Sequence, residues 1–205
     1  WEGRLSGQLR SQGEQLPLHA DGSSAGFKAT LDVPKLAGTL RGRDVDARAQ
    51  LAVQGSEGEG DVRVAISASR VEAKGKVGDR LEVDARFEPL QLVDLVPGGT
   101  GGLQGSLRLR GTPSQPDIDA DLQGSHLAYD GFAAEQLRIT GRLPWRGDNG
   151  DLQVTGNAVT AGMLLDSLRL HARGSVVDLK LDGDARNELG AVTLQGAVRQ
   201  NGTTW

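Results

Sequence analysis

The chain has 205 residues, of which 37 % are hydrophobic, 3 % are aromatic and 30 are glycine, a lean supply of large side chains for a core at this length. Its 23 basic and 27 acidic residues are interspersed and give a net charge of −4, which excludes the basic stripe of a nucleic-acid-binding surface. The chain has no cysteine, which excludes disulfide frameworks and thiolate metal sites, and no apolar run approaches the roughly 18 residues of a membrane-spanning helix.

Period-two alternation of apolar and polar residues runs through nearly the whole chain and predicts about thirteen strands, each with one apolar and one polar face. The connections between the runs, such as SEGEGD and VGDR, are too short for helical crossovers, so we expect antiparallel hairpins. The predicted fold class is therefore all-β, a long antiparallel meander. In chain order, the runs begin at Leu5, Phe27, Leu36, Ala47, Val62, Val71, Leu81, Leu103, Ile118, Leu137, Leu152, Leu168, Leu179 and Val192.

One segment, EPLQLVDLVPGG, departs from this alternation. The spacing of its apolar residues favours a short helix at about 89–96, ended by Pro97 and Gly98. The helix and the Gly-rich break after it, together about 89–102, lie between two halves of one continuous domain, residues 1–205. Because the chain begins at Trp1 without a signal-peptide pattern, we expect it to be a piece of a longer protein.

The segment GGLQGSLRLRGTPSQPDIDADL, Gly101 to Leu122, predicts one hairpin in detail. If GTPSQP is its turn, opposite charges meet on the outer face and apolar residues meet on the inner face, as cross-strand pairing favours. The predicted pairs are Arg110 with Asp117, Arg108 with Asp119, Leu107 with Ala120, and Gly105 with Leu122.

Glycine recurs in the middle of the predicted strands, on their apolar face. Mid-strand glycine weakens a strand, so its repetition on one face predicts strands bent across their middle, where a missing side chain leaves room for the bend and for a ligand along it. The predicted crease glycines are Gly7, Gly38, Gly75, Gly105, Gly141, Gly156, Gly174, Gly183 and Gly196.

Bent strands about 4.8 Å apart would form an open apolar trough on the order of 60 Å long. One alternative stays open at this point: the two halves of each bent strand pack together as a closed sandwich core, with glycine at the corners. The residues predicted to line the trough are Leu31, Leu51, Val64, Val83, Leu103, Leu107, Leu109, Ile118, Leu122, Leu137, Ile139, Leu143, Val154, Leu168, Leu170, Leu181 and Leu194.

The segment LQLVDLVPGGTGGLQGSLRLRGTPSQPDIDADLQGSHLAYDG, Leu90 to Gly131, carries a family resemblance. It contains a short amphipathic helix, a proline-glycine break, a G-x-L-x-G-x-L-x-L-x-G strand, a Pro-containing turn and a P-x-I-x-A-x-L strand that leads into L-x-Y-x-G. This order resembles the C-terminal region of the TamB family, within the wider AsmA-like group. The rest of the chain shares with that family only the general pattern of alternating residues punctuated by glycine.

The resemblance implies a tunnel-like bent sheet (a β-taco), open along one edge, in a large periplasmic protein that is anchored in the inner membrane and reaches the outer membrane. Such proteins are similar to bridge-like lipid transfer proteins, so the implied ligands are phospholipid acyl chains. The implied partner is TamA, a BamA-like outer-membrane protein, reached through the full-length protein. Contact with the membrane is expected through parts outside these residues.

The sequence predicts no enzyme, no cofactor and no metal site. The segment Gly22–Gly26 matches G-x-S-x-G, but a strand pattern follows it where a nucleophile elbow needs a helix, so a Ser/Gly-rich turn is the simpler interpretation. The aspartates at 117, 119 and 121 lack the glycine of a calcium loop and fit a solvated strand face. The histidines lack metal-ligand spacing and are expected on exposed strands or turns; they are His19, His126 and His171.

Two functional hypotheses follow. In the first, the apolar trough conducts phospholipids, because each acyl methylene moved from water to an apolar surface gains about 0.8 kcal/mol. In the second, the open meander is a scaffold or chaperone whose unpaired sheet edge pairs with an outer-membrane protein, such as an autotransporter, during assembly.

Overall fold

The computed structural model describes the backbone of residues 2–11, 14–25, 28–40 and 42–200, and the side chains of residues 30–39 and 42–200. These residues form one sheet of fourteen strands and one short helix, α1, Leu92–Leu95, which confirms the all-β prediction. The strands are β1 Glu2–Ser11, β2 Glu14–Ala25, β3 Lys28–Leu40, β4 Arg43–Gln54, β5 Glu57–Ile66, β6 Ser69–Val77, β7 Leu81–Gln91, β8 Thr100–Thr112, β9 Gln115–Tyr129, β10 Phe132–Leu143, β11 Gly150–Ala161, β12 Leu164–Gly174, β13 Asp178–Asn187 and β14 Gly190–Arg199.

The strands follow each other in the sheet in chain order, and each is antiparallel to the next. This linear order confirms the predicted meander. The hairpin of β8 and β9 has the predicted register, with only Pro113 and Ser114 between the strands. All four predicted pairs are present: Arg110 with Asp117, Arg108 with Asp119, Leu107 with Ala120, and Gly105 with Leu122.

Strand β3 joins two runs that the sequence predicted to be separate, one ending at Val33 and one beginning at Leu36. Its register with β4 shifts between these two residues. Pro34 and Lys35 of β3 therefore lie opposite a single residue of β4, which leaves one extra residue on β3. Such a β-bulge tolerates proline, which has no N–H to donate to the ladder. The extra residue returns Leu36 to the face of Val33, so the apolar face continues through the bulge.

A second shift, in β7, explains why the helix is shorter than the predicted 89–96. The register between β7 and β8 shifts between Phe87 and Leu90, so Leu90 pairs with Leu103 and is buried in the sheet. The strand therefore extends into the predicted helix, which is confined to Leu92–Leu95. Because β7 pairs with β8, the sheet is continuous across the predicted break.

The helix α1 is fixed to the sheet by a buried carboxylate. Arg43 Nη1 donates to Asp94 Oδ1 at 2.6 Å, and the Ser69 hydroxyl donates to Asp94 Oδ2 at 2.6 Å. The Ser69 oxygen in turn accepts the backbone N–H of Gln91 at 2.8 Å. The Asp94 side chain is 4 % exposed, so this cluster ties α1 to β4, β6 and β7.

Strand β2 was not predicted as a strand. Gly22 and Ser24 lie within it and pair with Leu31 and Ala29 of β3, so the predicted Ser/Gly-rich turn is wrong at these positions. The last glycine of the G-x-S-x-G match, Gly26, lies outside the described residues. The next described element is strand β3, not the helix that a nucleophile elbow needs.

The described residues place no second layer over the sheet. The accessible surface is 13318 Å², whereas a compact globular protein of 21.6 kDa has about 9,200 Å² by size scaling. This excess favours the open sheet over the closed sandwich that the sequence left as an alternative. The buried apolar side chains are Val33, Val45, Leu90, Ala120, Leu127, Ala134, Leu143 and Val159.

Candidate binding surface

The regular register places apolar residues of neighbouring strands side by side in rows across the sheet. One of them, the central row, has a member on every strand from β1 to β14, and each member is apolar or glycine. A slip of one residue would replace most members by a polar neighbour, so the register is strongly specified. In chain order, the central row is Gly7, Leu18, Leu36, Ala47, Val64, Val71, Phe87, Gly105, Leu122, Ile139, Val154, Leu170, Gly183 and Leu194.

Three further rows lie on the same face. On one side is the leucine–glycine row: Leu90, Leu103, Gly124, Leu137, Gly156, Leu168, Ala185 and Val192. On the other side is the alanine row: Val33, Ala49, Val62, Ala73, Ala85, Leu107, Ala120, Gly141, Leu152, Ala172, Leu181 and Gly196. Beyond it is the far row: Leu31, Leu51, Gly60, Gly75, Val83, Leu109, Ile118 and Leu143.

These four rows together form the apolar face. With strands about 4.8 Å apart and a rise of about 3.4 Å per residue, the face is on the order of 60 Å long across the strands and 20 Å wide along them. The rows contain no charged or polar residue, and their one aromatic residue is Phe87. Aliphatic side chains bind methylene chains without directional contacts, so a ligand on this face is free to slide.

All the residues predicted to line a trough belong to these four rows. Among them, Leu143 is buried, whereas Leu31 and Leu51 are 38 % exposed and Leu194 is 53 % exposed. The others are half-buried. Half-burial in a single layer means that each side chain packs against its neighbours in the rows while its outer surface stays open to a ligand.

The predicted crease glycines are spread over different rows, so they do not mark one fold line across the sheet. Gly38 pairs with Val45, and Gly174 pairs with Leu179, beyond the ends of the rows as defined. The central row contains Gly7, Gly105 and Gly183; the alanine row contains Gly141 and Gly196; the leucine–glycine row contains Gly156; and the far row contains Gly75.

Two of these glycines make room for a large neighbouring side chain. A Cβ atom on Gly156 would lie 2.6 Å from Val159 Cγ2, and a Cβ atom on Gly183 would lie 2.6 Å from Leu170 Cδ2. Both separations are too short for real carbon atoms. The valine and leucine side chains therefore lie over the glycines, and this interleaving of large and small residues evens out the apolar face.

Gly105 and Gly141 have a different role. Their φ angles are +126° and +122°, in a region that side-chain-bearing residues rarely adopt. A Cβ atom on either residue would collide with a backbone carbonyl of the adjacent strand, that of Asp121 or Asp151, respectively. Glycine at these two positions is required by the close approach of the strands.

The most buried part of the apolar side was not predicted. His126 and Ala158 have φ angles of 51° and 46°, and these left-handed residues interrupt the alternation of β9 and β11. The residues after them, Leu127 and Val159, are 7 % and 1 % exposed, and both pair with Ala134, which is 1 % exposed. The period of two does not predict these residues, because they are out of step with it.

The opposite face is polar, and along part of it the charges alternate in sign from strand to strand. Arg108 Nε lies 2.5 Å from the Asp84 carboxylate, and this hydrogen bond raises the pKa of Arg108. Lys76 Nζ lies 3.0 Å from Glu59, which raises the pKa of Lys76 in the same way. One row that alternates in this way is Asp61, Lys74, Asp84, Arg108, Asp119, Arg142, Asp151 and Arg173.

The described histidines lie on this polar face, each beside a carboxylate. His126 Nε2 is 2.7 Å from Glu135, and His171 Nε2 is 2.9 Å from Asp151. This close contact with His171 lowers the pKa of Asp151 below its ordinary value. The side chain of His19 lies outside the described residues.

The aspartates of β9 face arginines rather than one another. The Asp117 carboxylate lies 3.4 Å from the Arg142 guanidinium. The Asp119 carboxylate lies 3.9 Å from that of Arg108, and the Asp121 carboxylate lies 3.2 Å from that of Arg138. This arrangement agrees with the predicted solvated face.

The described residues bring together no group of three or more acidic or histidine side chains that would hold a metal ion. Nor do they include a helix with the length and apolarity to cross a membrane.

A comparison with known families finds one match, to the N-terminal domain of TamB, over residues 1–205. No solved structure matches the chain. Residues 90–131 resemble the same family, but the matching domain is the N-terminal one, not the C-terminal region, and the match is to TamB itself rather than to the AsmA-like group. Glycine-punctuated hairpins recur throughout this sheet, so such a motif indicates the family without locating the segment within it. The chain belongs to the TamB family.

Proposed function

We propose that the apolar face conducts phospholipids between the inner and outer membranes, as a periplasmic segment of a larger protein anchored in the inner membrane. The observation that carries this proposal is the continuity of the four rows: apolar residues and glycine, aligned strand by strand, with no second layer over them in the described residues. Each acyl methylene that moves from water onto such a face gains about 0.8 kcal/mol.

The uniformity of the face supports movement rather than storage. The central row is aliphatic or glycine at every position except Phe87, so an acyl chain meets nearly the same surface at each strand. No polar side chain in the rows fixes a headgroup in place. Bound chains therefore have no single preferred position, as conduction along the sheet requires.

The test is photo-crosslinking in cells with the full-length protein. A photoreactive amino acid that replaces Leu107, in the alanine row, is expected to crosslink to lipid. The same photoreactive amino acid in place of Arg108, the neighbour on the polar face, is not. The Arg108 variant controls for labelling of the protein surface in general. Lipid at neither position in a folded protein would contradict the proposal.

A second candidate is a scaffold for assembly of outer-membrane proteins, acting together with TamA. The observation that favours it is β14, whose residues are all exposed and which pairs only with β13 within the described residues. A free strand edge can add a strand from another protein.

Leu122→Gln with Ile139→Asn, on the apolar face, is expected to reduce lipid transfer. If edge pairing is the function, these substitutions will leave outer-membrane protein assembly intact.

A further inference from the structure

A cleft of about 720 Å³ lies on the polar face of the sheet, across β7 to β11. Two polar rows form its walls. The first wall consists of Gln104, Gln123, Arg138 and Thr155. The second wall consists of Gln91, Gly102, Ser125, Gln136 and Asn157. The leucine–glycine row runs between the walls, with its apolar side chains on the other face of the sheet, so the cleft is separate from the apolar face.

The walls differ in chemistry from the rest of the polar face. Much of the rest of that face carries acidic and basic residues, whereas these walls contain five carboxamide side chains and no carboxylate. The arginine and the histidine in the lining are paired: Arg138 Nη2 donates to Asp121 at 3.2 Å, and His126 Nε2 lies 2.7 Å from Glu135. The groups that remain for a ligand are therefore mainly neutral.

Four of the five carboxamides are paired in a way that leaves half of each group free. Gln104 Nε2 donates to Gln123 Oε1 at 3.3 Å, and Asn157 Nδ2 donates to Gln136 Oε1 at 3.3 Å. Within the described residues, the NH₂ groups of Gln123 and Gln136 and the carbonyl oxygens of Gln104 and Asn157 have no protein partner. The cleft thus presents donors and acceptors side by side, the pattern that complements hydroxyl groups.

Backbone conformation gives a second, independent sign of a specialised site. His126, which lines the cleft, and Ala158, which follows Asn157, are non-glycine residues with positive φ in mid-strand. Such outliers persist where surrounding structure holds them, and they cluster at ligand sites. At the cleft's end, Gln91 Nε2 lies 3.1 Å from the place where a Cβ atom on Gly102 would be, so this glycine leaves room for the amide.

We propose that this cleft binds a neutral oligosaccharide. Sugar hydroxyls donate and accept hydrogen bonds, as the free carboxamide groups require. A sugar also brings no charge, and the one arginine in the lining, Arg138, is already paired with Asp121. An extended peptide fits less well, because every strand under the cleft is paired on both sides and offers no backbone edge. This proposal does not depend on lipid conduction, since the cleft lies on the other face.

The test is NMR titration of the purified protein with triacetylchitotriose and with maltotriose, followed at the side-chain amide resonances. We expect millimolar binding of at least one sugar, with shifts confined to the amides of Gln104, Gln123, Gln136 and Asn157. Gln123→Ala combined with Gln136→Ala is expected to weaken binding about tenfold, through lost hydrogen bonds. The matched control is Gln50→Ala, on the polar face outside the cleft, which keeps the affinity.

Two outcomes would overturn the proposal. One is that neither sugar shifts the cleft amides while the unfolding temperature of the protein is normal. The other is that an uncharged, extended peptide shifts them and the sugars do not, which would assign the cleft to peptide. The unfolding temperature of each variant shows whether a loss of binding reflects the cleft or the fold. Lipid crosslinking at Leu107 is unaffected by either result, so this test and that of lipid conduction fail independently.

Discussion

At the scale of single residues, the backbone requires glycine at position 105, and a substitution tests this. Gly105→Ala is expected to lower the free energy of unfolding by about 1–3 kcal/mol, because its φ of +126° is strained for alanine and the new Cβ collides with the Asp121 carbonyl. The control is Gly196→Ala, on the same face, where an added Cβ meets no atom within 4 Å.

Urea unfolding of the two variants measures this difference. Gly196→Ala is expected to leave stability unchanged or to raise it by about 0.5–1 kcal/mol, because alanine restricts the unfolded chain. Equal losses in the two variants would show that the backbone conformation and close approach at Gly105 are not what requires glycine.

The pair of Asp151 and His171 predicts a pH dependence. The pKa of Asp151 lies below 3.8, first because of its close contact with His171 and then because of the hydrogen bond from Gln153. A carboxyl group whose pKa is depressed by folding adds stability above its unfolded pKa, and that stability is lost as the pH falls through the folded pKa. The contribution is therefore present above pH 3.8 and disappears at more acidic pH.

An NMR titration of the Asp151 carboxyl group tests this assignment. His171→Ala is expected to raise the pKa of Asp151 toward 3.8, and His126→Ala, which removes the other described histidine, is expected to leave it unchanged. An Asp151 midpoint that is the same in His171→Ala as in the parent protein would contradict the role of this contact.

At the scale of elements, the cluster at Asp94 decides whether α1 stays on the sheet. Asp94→Ala leaves Arg43 and the Ser69 hydroxyl without their shared acceptor, and we expect a loss of about 2–4 kcal/mol because this carboxylate is buried. Faster amide hydrogen exchange at Gln91 is the local sign. Asp79→Ala, at an exposed turn position, is the control and is expected to change stability by less than about 0.5 kcal/mol.

The sequence predicts the strands correctly where the alternation of apolar and polar residues is uninterrupted, and less well where a bulge breaks it. In the hairpin of β8 and β9, charge and apolar pairing agree with the turn, and all of the predicted pairs are present. In β3 and β7, a bulge inserts one residue, and the period of two then indicates a new element where the strand in fact continues. Proline lies at both bulges, as Pro34 and Pro89, and this is the signal that would have revealed them.

At the scale of the whole molecule, an open sheet must be larger than a compact domain of the same length. A compact chain of 205 residues has a radius of gyration of about 17 Å. The sheet is on the order of 60 Å long, so we expect a clearly higher value in small-angle X-ray scattering. A value near 17 Å in a monodisperse sample would mean that the apolar face packs against itself.

The candidate surface was largely predictable, whereas the cleft was not. Alternation assigns each predicted lining residue to the apolar side, because membership of a face depends only on position within a strand. The cleft depends on which polar residues become neighbours across several strands, and on left-handed residues at His126 and Ala158. Neither property is visible until the register of β7 to β11 is known.

The strict chain order of the strands has a consequence for how such a protein varies in size. Each strand from β2 to β13 pairs only with the strand before it and the strand after it. Duplication or loss of a complete hairpin therefore leaves every other pairing intact and changes the span of the sheet by about 9.6 Å, two strand spacings. The length of the sheet is in this sense a count of hairpins, and it can change without redesign of any single strand.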